Sequence, residues 1–237
     1  MHPAQLTFGF APYRLSGTVY GVLLNHAPAL AALGDAVNAA PYKAPPKAPV
    51  LYLKPRNTLA GPGSTCAVPP DVPALQVGAS LGAVIGRTAC RVAERDALQC
   101  VAGCAIVDDL SVPHDSFYRP SVRFKARDGS CVIGAVVGRE RLRDPGALAV
   151  RIFVDGELVQ RTDTGERIRP LARLIADVSE FMTLAPGDIL LLGTAAGAPT
   201  ARAGQTIAIE IDGLGRLEHA LVAAGEPAHA RATEPHA

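Results

Sequence analysis

Two adjacent aspartates stand where an apolar run gives way to a proline-containing loop. Residues 101–107 are apolar, Asp108 and Asp109 follow them directly, and Pro113 lies in the loop beyond. An apolar strand that ends in carboxylates and a loop is a common way for a sheet to present acidic groups to a cleft. The alternative is that both aspartates are ordinary turn or cap residues. The pair is therefore a candidate acidic centre, and its interpretation depends on what the rest of the chain places beside it.

A histidine marks a second place where chemistry is possible. His26 lies between a predicted strand over residues 18–24 and a predicted helix that begins at Pro28 and runs to about residue 40. Its imidazole titrates near neutral pH, so it suits a base or a ligand. The alternative is that His26 caps the helix or packs against it.

The composition bounds what kind of protein this is. The chain has 237 residues, 49% of them hydrophobic, and a formal net charge of +1, which suits one sizeable domain with an ample core. Balanced charge and the absence of tryptophan argue against a nucleic-acid partner. No apolar run has the length of a membrane span, and residues 1–17 lack the pattern of a secretory signal. We expect a cytoplasmic protein whose five cysteines are reduced thiols.

Short strands dominate the predicted elements. Residues 168–181 place apolar side chains at helical spacing, and Asp155-Gly156 predicts a type I′ turn within a hairpin. Residues 61–76 are predicted to be a loop and residues 94–101 a short helix. Strands are predicted over 18–24, 50–54, 77–86, 101–107, 147–154, 158–161, 189–192 and, as the last, 206–211. The fold class predicted from this pattern is α+β, mainly β.

Seven short motifs occur in a recognisable order along most of the chain. They are YLKPRNTLAGPG, VIGRTA, CVAGCAIVDDLS, KARDG, VDGELVQRTDT, LAPGDILLLGTAAG and IDGLG. In this order they resemble the fumarylacetoacetate hydrolase family. Four further segments, SGTVYGVLLNH, PYKAPPKAPV, KPRNT and DSFYRP, resemble one subgroup of it: the N-terminal half or first subunit of the bifunctional isomerases/decarboxylases of homoprotocatechuate (4-hydroxyphenylacetate) degradation.

The resemblance implies a fold and a chemistry. The family fold is a β-roll of mixed sheets with few helices and with a cleft at one end. Family members usually hold Mg²⁺ or Mn²⁺ with two glutamates on one strand and an aspartate at the end of another, and they act beside the carbonyl of a 2-oxo acid. A hard cation suits that chemistry because it stabilises the enolate that forms. Asp109 matches the aspartate, so we expect it at the mouth of a cleft, close to Lys54 and Thr194.

The family's metal-binding pattern is incomplete in this chain. Counting back from the VIG motif, the two glutamate positions hold Gly78 and Ser80. One carboxylate offers a divalent ion too little anionic oxygen, so weak or absent binding of Mg²⁺ or Mn²⁺ is predicted. If the register is right, Gly78→Glu with Ser80→Glu should create metal affinity. The lid His and Glu of the family correspond to Ala29 and Ala32, and the arginine of its Ser-x-Arg-Asp element corresponds to Pro113.

Other positions still match the family's site. Besides Asp109 they are Lys54, Lys125, Asp128, Gln160 and Thr194. Lys125 is predicted to be catalytic, together with His26 as a proton shuttle. Lys54, Asp128, Gln160 and Thr194 are predicted to bind substrate, and Lys54 would act as a point charge for a carboxylate. The alternative for each is structural: a surface lysine, a buried ion pair between Lys125 and Asp128, or a turn threonine.

The resemblance leads to two functions of different kinds. The first is a subunit of the isomerase/decarboxylase that acts on the homoprotocatechuate ring-cleavage product. It would serve decarboxylation of 5-carboxymethyl-2-oxo-hex-3-ene-1,7-dioate and isomerisation of 2-hydroxyhepta-2,4-diene-1,7-dioate. The alternative is a degenerate, non-catalytic subunit that pairs with a metal-competent homologue. A third possibility is a homodimer that keeps a metal-free isomerase activity.

The expected partners and domain boundaries follow from the same resemblance. The small-molecule partner is a dicarboxylic or tricarboxylic oxo acid, and the protein partner is a second copy or a homologous second subunit. Residues 1–45 are predicted to form an N-terminal arm, strand and helix, and residues 46–224 the fumarylacetoacetate hydrolase-like domain. Residues 225–237 are predicted to be a disordered tail.

Overall fold

The computed structural model describes residues 17–114, 117–118, 122–142 and 144–225. Most of the predicted N-terminal arm and of the predicted disordered tail lies outside the described residues, as does part of the DSFYRP segment. The three predicted domain boundaries stay predictions.

Strands make up most of the regular structure. In chain order they are β1 (Val19–Leu23), β2 (Val50–Lys54), β3 (Leu59–Ala60), β4 (Thr65–Val68), β5 (Leu75–Gln76), β6 (Ala79–Ile85), β7 (Val101–Asp109), β8 (Cys131–Ile133), β9 (Val137–Gly138), β10 (Ala149–Val154), β11 (Glu157–Asp163), β12 (Ile189–Leu191), β13 (Thr200–Ala201), β14 (Thr206–Ile211) and β15 (Gly215–Ala223). The α-helices are α1 (Ala27–Ala31), α2 (Glu94–Ala97), α3 (Val122–Lys125) and α4 (Leu171–Phe181). Short 3₁₀ turns cover Gly34–Val37, Arg56–Thr58, Leu98–Cys100 and Arg139–Arg141.

Eight strands form one mixed sheet. Seven of them follow the order β2-β1-β12-β6-β7-β8-β3, and β9 pairs with β7. Because only residues 55–58 separate β2 from β3, the two ends of this order lie close together and the sheet curls into a roll. A second sheet has the order β11-β10-β14-β15-β4, and β13 pairs with β5. The predicted α+β, mainly β fold of mixed sheets with few helices is confirmed.

The core has two parts, one on each face of the curled sheet. A smaller cluster lines the inside of the roll and consists of Val19, Val84, Ala105, Val107, Cys131, Ile133, Ile189 and Leu191. A larger cluster fills the space between the roll, the second sheet and α4. Every residue of β6 is buried, as expected for a strand that is covered on both faces. Polar side chains on the inner face of β6 and β7 are therefore enclosed rather than solvated.

Three predicted helices are shorter than expected. The helix predicted over residues 94–101 is α2 (Glu94–Ala97) followed by a 3₁₀ turn. The helix predicted to continue to about residue 40 ends as α1 at Ala31, and a 3₁₀ turn begins at Gly34, whose positive φ of 51° keeps the α-helix from continuing. The helix predicted from residue 168 begins after Pro170, because a residue that precedes proline favours extended backbone. Leu171, Leu174, Ile175, Val178 and Ser179 form its buried face.

Two strand predictions were wrong. The predicted loop over residues 61–76 contains the short strands β4 and β5. The strand predicted to be the last is followed by β15, which pairs with β14 on one side and with β4 on the other. The alternation of β15 is interrupted in the sequence because a histidine, His219, takes one of its buried positions.

Other predictions are confirmed. Asp155 and Gly156 have φ values of 51° and 82°, as a type I′ turn requires. The five cysteines are free thiols, and Cys90 is the exposed one among them. Within the described residues, no helix is long and apolar enough to cross a membrane.

Candidate functional site

Asp109 lies at the end of β7, on the inner face of the roll. Strand alternation directs Val107 and Asp109 to the same face, and Asp109 is only 1% exposed. Lys54 places its Nζ 2.8 Å from Oδ1, and Lys125 places its Nζ 2.7 Å from Oδ2. The Tyr52 hydroxyl donates a hydrogen bond to Oδ2. Sequence reasoning therefore brought Asp109, Lys54 and Lys125 together correctly, but the carboxylate is buried rather than placed at an open mouth.

Lys54 is buried and fully engaged. Besides the ion pair with Asp109, its ammonium donates to the Lys125 carbonyl oxygen (2.6 Å) and to the carbonyl and hydroxyl oxygens of Ser130 (3.1 Å each). Lys54 reaches these groups from the edge strand β2 because the roll brings β2 beside the start of β8. The prediction of a surface lysine as the alternative role is wrong for Lys54, whose exposed fraction is 2%.

The electrostatics of this cluster follow from burial and from its charges. Burial alone would raise the pKa of Asp109, but the positive charges of Lys125 and Lys54 outweigh it and hold that pKa well below its usual range. Burial and the neighbouring carboxylate raise the pKa of the Tyr52 hydroxyl well above its usual value. Two ammonium groups face one carboxylate, so the cluster keeps an excess of one positive charge.

The three positions of the family's metal site do not fit a divalent cation. Both oxygens of Asp109 already face ammonium groups, which would repel a cation. Ser80 uses its hydroxyl to accept from the Gly193 N–H (3.1 Å) and to donate to the Leu81 carbonyl oxygen (3.3 Å). Among the described residues no group of three His, Cys, Asp or Glu could hold a metal ion. Weak or absent metal affinity stays a prediction.

Gly78 is at a position that has no room for a side chain. A Cβ there would collide with the backbone carbonyl of Asp109, because the two residues approach closely through the Asp109 N–H to Gly78 carbonyl bond of 3.1 Å. Gly78→Glu with Ser80→Glu would therefore have to displace the end of β7 before it could create a metal site. The expected gain of metal affinity from these two substitutions alone does not agree with this geometry.

A second group of candidate residues surrounds the loop over residues 193–197, which follows β12. His26 accepts a hydrogen bond at Nδ1 from the Ala196 N–H (3.1 Å). Gln160, on β11, donates from Nε2 to the carbonyl oxygens of Ala196 (2.9 Å) and Gly197 (3.1 Å). Thr194 lies within the same loop and is half-buried. His26, Gln160 and Thr194 are thus brought together, and Ser80 connects their loop to the inner face of the roll through Gly193.

His26 is 4% exposed, and its environment favours the neutral imidazole. Burial and the nearby charge of Arg167 lower its pKa, against the opposing charge of Glu166. Because Nδ1 accepts from Ala196, the proton of the neutral ring is on Nε2. That atom lies 3.5 Å from Glu166 Oε2, too far for a good hydrogen bond.

Asp128 lies apart from both groups. It is exposed and accepts a hydrogen bond from the Asn57 side chain (2.7 Å). The buried ion pair considered between Lys125 and Asp128 is wrong, because Lys125 pairs with Asp109. A role for Asp128 in substrate binding stays a prediction.

Sequence reasoning missed three polar residues of the interior. Tyr52 stands two residues before Lys54, so strand alternation could have placed both on one face of β2. Asp108 points to the opposite face of β7, where His219 Nε2 lies 2.8 Å from its Oδ2 and the Gly78 N–H donates to its Oδ1 (2.7 Å). Asp108 is a buried residue inside β7, so the alternative of an ordinary turn or cap residue is wrong for it. No local signal in the sequence pointed to Ser130, which contacts Lys54, or to His219, which contacts Asp108.

The surface groove near the start of α4 is a different place. Its volume is about 390 Å³ and its lining is Glu94, Ile168, Arg169, Pro170, Arg173 and Asp177. Asp177 accepts from Arg169 (2.9 Å) and pairs with Arg173 (2.7 Å), so these charges already neutralise one another. The groove is a weaker candidate than the interior cluster.

Comparison with known proteins places this geometry in a family. The family model described as fumarylacetoacetate (FAA) hydrolase C-terminal matches residues 18–222. A 4-hydroxyphenylacetate degradation bifunctional isomerase/decarboxylase from Escherichia coli is 38% identical over 208 residues, which cover 88% of this chain and 48% of that protein. The chain thus spans about half the length of this curated relative.

Two solved structures are similar to the whole described fold. The 5-carboxymethyl-2-hydroxymuconate delta-isomerase from Mycobacterium smegmatis gives a TM-score of 0.75 at 29% identity, covering 90% of this chain and 81% of that one. A fumarylpyruvate hydrolase from Pseudomonas aeruginosa, solved in complex with Mn²⁺ and pyruvate, gives 0.76 at 26% identity, covering 94% and 97%. The resemblance seen in the ordered motifs is confirmed, and the chain belongs to the fumarylacetoacetate hydrolase family.

Proposed function

We propose that this chain is a subunit of the isomerase/decarboxylase that acts on the homoprotocatechuate ring-cleavage product. The assembly would decarboxylate 5-carboxymethyl-2-oxo-hex-3-ene-1,7-dioate and isomerise 2-hydroxyhepta-2,4-diene-1,7-dioate. The identity to the Escherichia coli isomerase/decarboxylase over 88% of the chain supports the choice of pathway. Since the chain spans 48% of that relative, the activity is assigned to an assembly and not to this chain alone.

The observation that carries the proposal is the pairing of Asp109 with Lys54 and Lys125 at 2.8 and 2.7 Å. Two fixed ammonium groups occupy the positions next to the Asp109 oxygens, where the family usually binds a cation. They leave an excess of one positive charge, which suits a carboxylate of a small oxo acid. They do not act as a Lewis acid, so we assign the decarboxylation step to a metal-competent homologous subunit.

The isomerisation step requires only proton transfer, and two side chains of this chain, Lys125 and His26, are proposed to carry it out. Lys125 is the proposed catalytic residue of the interior cluster, since it is the less buried of the two lysines, with 8% of its side chain exposed. His26 is the proposed proton shuttle beside the loop over residues 193–197. Its neutral ring would accept a proton at Nδ1 only after releasing the Ala196 N–H. Gln160, Thr194 and Asp128 are the proposed substrate-binding residues, together with Lys54, whose fully engaged ammonium would act on a substrate carboxylate through its charge alone.

The second candidate is a non-catalytic subunit that supports a homologous partner. The burial of Asp109 and Lys54, which are 1% and 2% exposed, favours this alternative, because buried groups that satisfy one another are not in contact with a substrate. In either case we expect a homodimer or a mixed dimer, with an interface of well over about 1,000 Å². Sedimentation of the purified chain as a 24.6 kDa monomer at micromolar concentration would count against that expectation.

Reconstitution separates the two candidates. The chain is assayed alone and with a metal-competent homologous subunit, with and without Mg²⁺, for CO₂ release and for loss of the dienoate absorbance. We expect decarboxylation only in the mixed assembly. Lys125→Met in this chain should lower isomerisation at least about tenfold, while Lys43→Met, an exposed control, should not. A Lys125→Met assembly that forms normally and keeps full activity would support the non-catalytic candidate.

A further inference from the structure

Arg167 carries buried hydrogen-bond donors that have no acceptor in the part of the chain that the structure describes. It lies between β11 and α4, and its backbone forms an antiparallel bridge with His26. The residue as a whole is half-buried, but its Nε and Nη1 atoms are enclosed, without a hydrogen-bond partner among the described residues. A guanidinium that is removed from water without a partner is costly, so such a group usually has an anion to bind.

The imidazole of the neighbouring His26 also has a buried nitrogen without a hydrogen-bond partner among the described residues. This nitrogen is Nε2, while Nδ1 is used by the Ala196 N–H. The backbone bridge between His26 and Arg167 puts these two side chains at neighbouring positions, beside the loop that contains Thr194. Desolvation also lowers the pKa of Arg167 to about 10, which agrees with a cation that lacks a close counter-charge.

The acidic groups nearby do not satisfy these donors. Glu166 is the closest, with Oε2 at 3.5 Å from His26 Nε2, and its side chain is 61% exposed. Asp163 acts on both His26 and Arg167 only through its charge at a distance. Glu166 has a positive φ of 47°, and its carbonyl oxygen accepts from the Ala27 N–H (2.8 Å), so its backbone is fixed while its carboxylate stays near water.

The ligand that fits is a carboxylate. It accepts several hydrogen bonds with one negative charge, and its planar shape matches a guanidinium. The loop over residues 193–197 links this place to the inner face of the roll, which also carries the interior cluster, since Ala196 bonds His26 and Gly193 bonds Ser80. A dicarboxylic acid would then meet a positive charge at each side of that loop, Arg167 on one and the lysine cluster on the other.

We propose that Arg167, with His26, forms a second carboxylate-binding site that holds the far carboxylate of a dicarboxylic oxo acid. The choice of a dicarboxylic acid rests on the proposed function, whereas recognition of a carboxylate rests on the unpartnered donors alone. Arg167 then determines specificity for dicarboxylic over monocarboxylic acids.

Binding of pimelate, an unreactive seven-carbon dicarboxylate, tests this without turnover. Calorimetry on the full chain should give saturable binding, and Arg167→Met should weaken it roughly ten- to a hundredfold, as expected for loss of a charged hydrogen-bond partner. Arg167→Lys keeps the charge but not the planar fork, so we expect an intermediate loss. The matched control is Arg87→Met, since Arg87 is exposed and follows β6 at the other end of the sheet. Thermal melts establish that each variant is folded.

The imidazole of His26 gives a second, local readout. Arg167 lowers the pKa of His26, so in nuclear magnetic resonance titrations pimelate should raise that pKa in the wild-type chain by offsetting the guanidinium charge. Arg167→Met should raise it without ligand and should abolish the effect of pimelate. Absence of saturable binding in the wild type, or equal affinity in folded Arg167→Met, would overturn the proposal. Failure of the reconstituted assembly to turn over, with Arg167-dependent binding intact, would overturn only the proposed function.

Discussion

Asp109 is the residue on which the interior cluster depends. Its carboxylate is the counter-charge of both Lys54 and Lys125 and the acceptor of the Tyr52 hydroxyl. A buried pair of opposite charges contributes little to stability by comparison with a well-packed apolar core, but removal of one partner leaves a buried charge without compensation. The cluster is therefore sensitive to any loss of the negative charge at Asp109.

Asp109→Asn should destabilise the fold strongly. The substitution keeps the shape of the side chain but leaves two buried ammonium groups without a counter-ion, which typically costs about 3–5 kcal/mol. Urea unfolding at neutral pH measures the change in the free energy of unfolding. Asp128→Asn is the matched control, since Asp128 is exposed, and it should change stability by no more than about 0.5 kcal/mol. Equal stability of the two variants would mean that the lysines do not depend on Asp109.

The same carboxylate should make stability depend on pH in the acid range. The pKa of Asp109 is depressed in the folded chain because Lys125 and Lys54 outweigh the effect of burial, whereas the unfolded value is about 3.9. Its contribution is thus present in full above the unfolded pKa and is lost as the pH falls from there through the folded pKa.

Unfolding free energies measured from pH 6 downward should show this acid-dependent component. The wild type should lose stability below about pH 4 more steeply than Asp109→Asn, which has no carboxylate to protonate. Parallel curves for the two proteins would show that Asp109 has an ordinary pKa in the folded state.

At the scale of elements, the start of β6 and the end of β7 fix the site. Three contacts hold them together: the Gly78 N–H donates to the Asp108 side-chain Oδ1, the Asp109 N–H donates to the Gly78 carbonyl oxygen, and β6 and β7 pair in register from Ala79 and Asp108 onward. The pair of strands leaves no space for a side chain at residue 78. The geometry that sets Asp109 against the lysines is therefore built into the strand pairing.

Gly78→Ala should disturb this pairing. The added Cβ collides with the Asp109 carbonyl, which is backbone and cannot rotate away, so we expect a loss of about 1–3 kcal/mol. Gly146→Ala is the control, because its new Cβ would meet only the side chain of Asp144, at 3.3 Å. Chemical denaturation of the two variants gives the comparison. A Gly78→Ala variant as stable as Gly146→Ala would show that the strand ends are looser than described.

The strands near the site could be predicted from the sequence to a large extent. Apolar runs that end at polar residues gave β1, β2, β6, β7 and β12 within a few residues. Period-two and helical patterns report burial of a face, so they find elements that are covered on one side or both. These patterns missed β15, where His219 occupies a buried position. The histidine can be buried there because it pairs with Asp108, which lies on a strand more than 100 residues away in the sequence.

The site itself could be predicted only in part. Matching positions brought Asp109, Lys54 and Lys125 into one cluster, and the resemblance predicted that Gly78 and Ser80 stand at the family's glutamate positions. Which lysine pairs with which acid, and the presence of Tyr52, depend on how the sheet curls. Arg167 had no signal in the sequence, because its significance lies in the absence of an acceptor in three dimensions.

At the scale of the whole molecule, the roll and the second sheet are joined by a polar contact inside the core. Asp108 on β7 and His219 on β15 meet at 2.8 Å, and neither side chain is exposed. Their neighbours Asp109 and Gly78 belong to the site, so the packing of the two sheets also supports the position of the interior cluster. The fold of the family is kept, and the buried charges of this cluster are grouped around Asp109.

Titration with Mn²⁺ tests most directly whether lysine has replaced the cation at Asp109. Mn²⁺ is paramagnetic, so binding near Asp109 would broaden the amide resonance signals of the ends of β6 and β7 in the wild-type chain. We expect these signals to stay sharp and calorimetry to give no saturable binding, since both Asp109 oxygens face ammonium groups. Saturable Mn²⁺ binding that broadens the Asp109 signal and is lost in Asp109→Asn would contradict it.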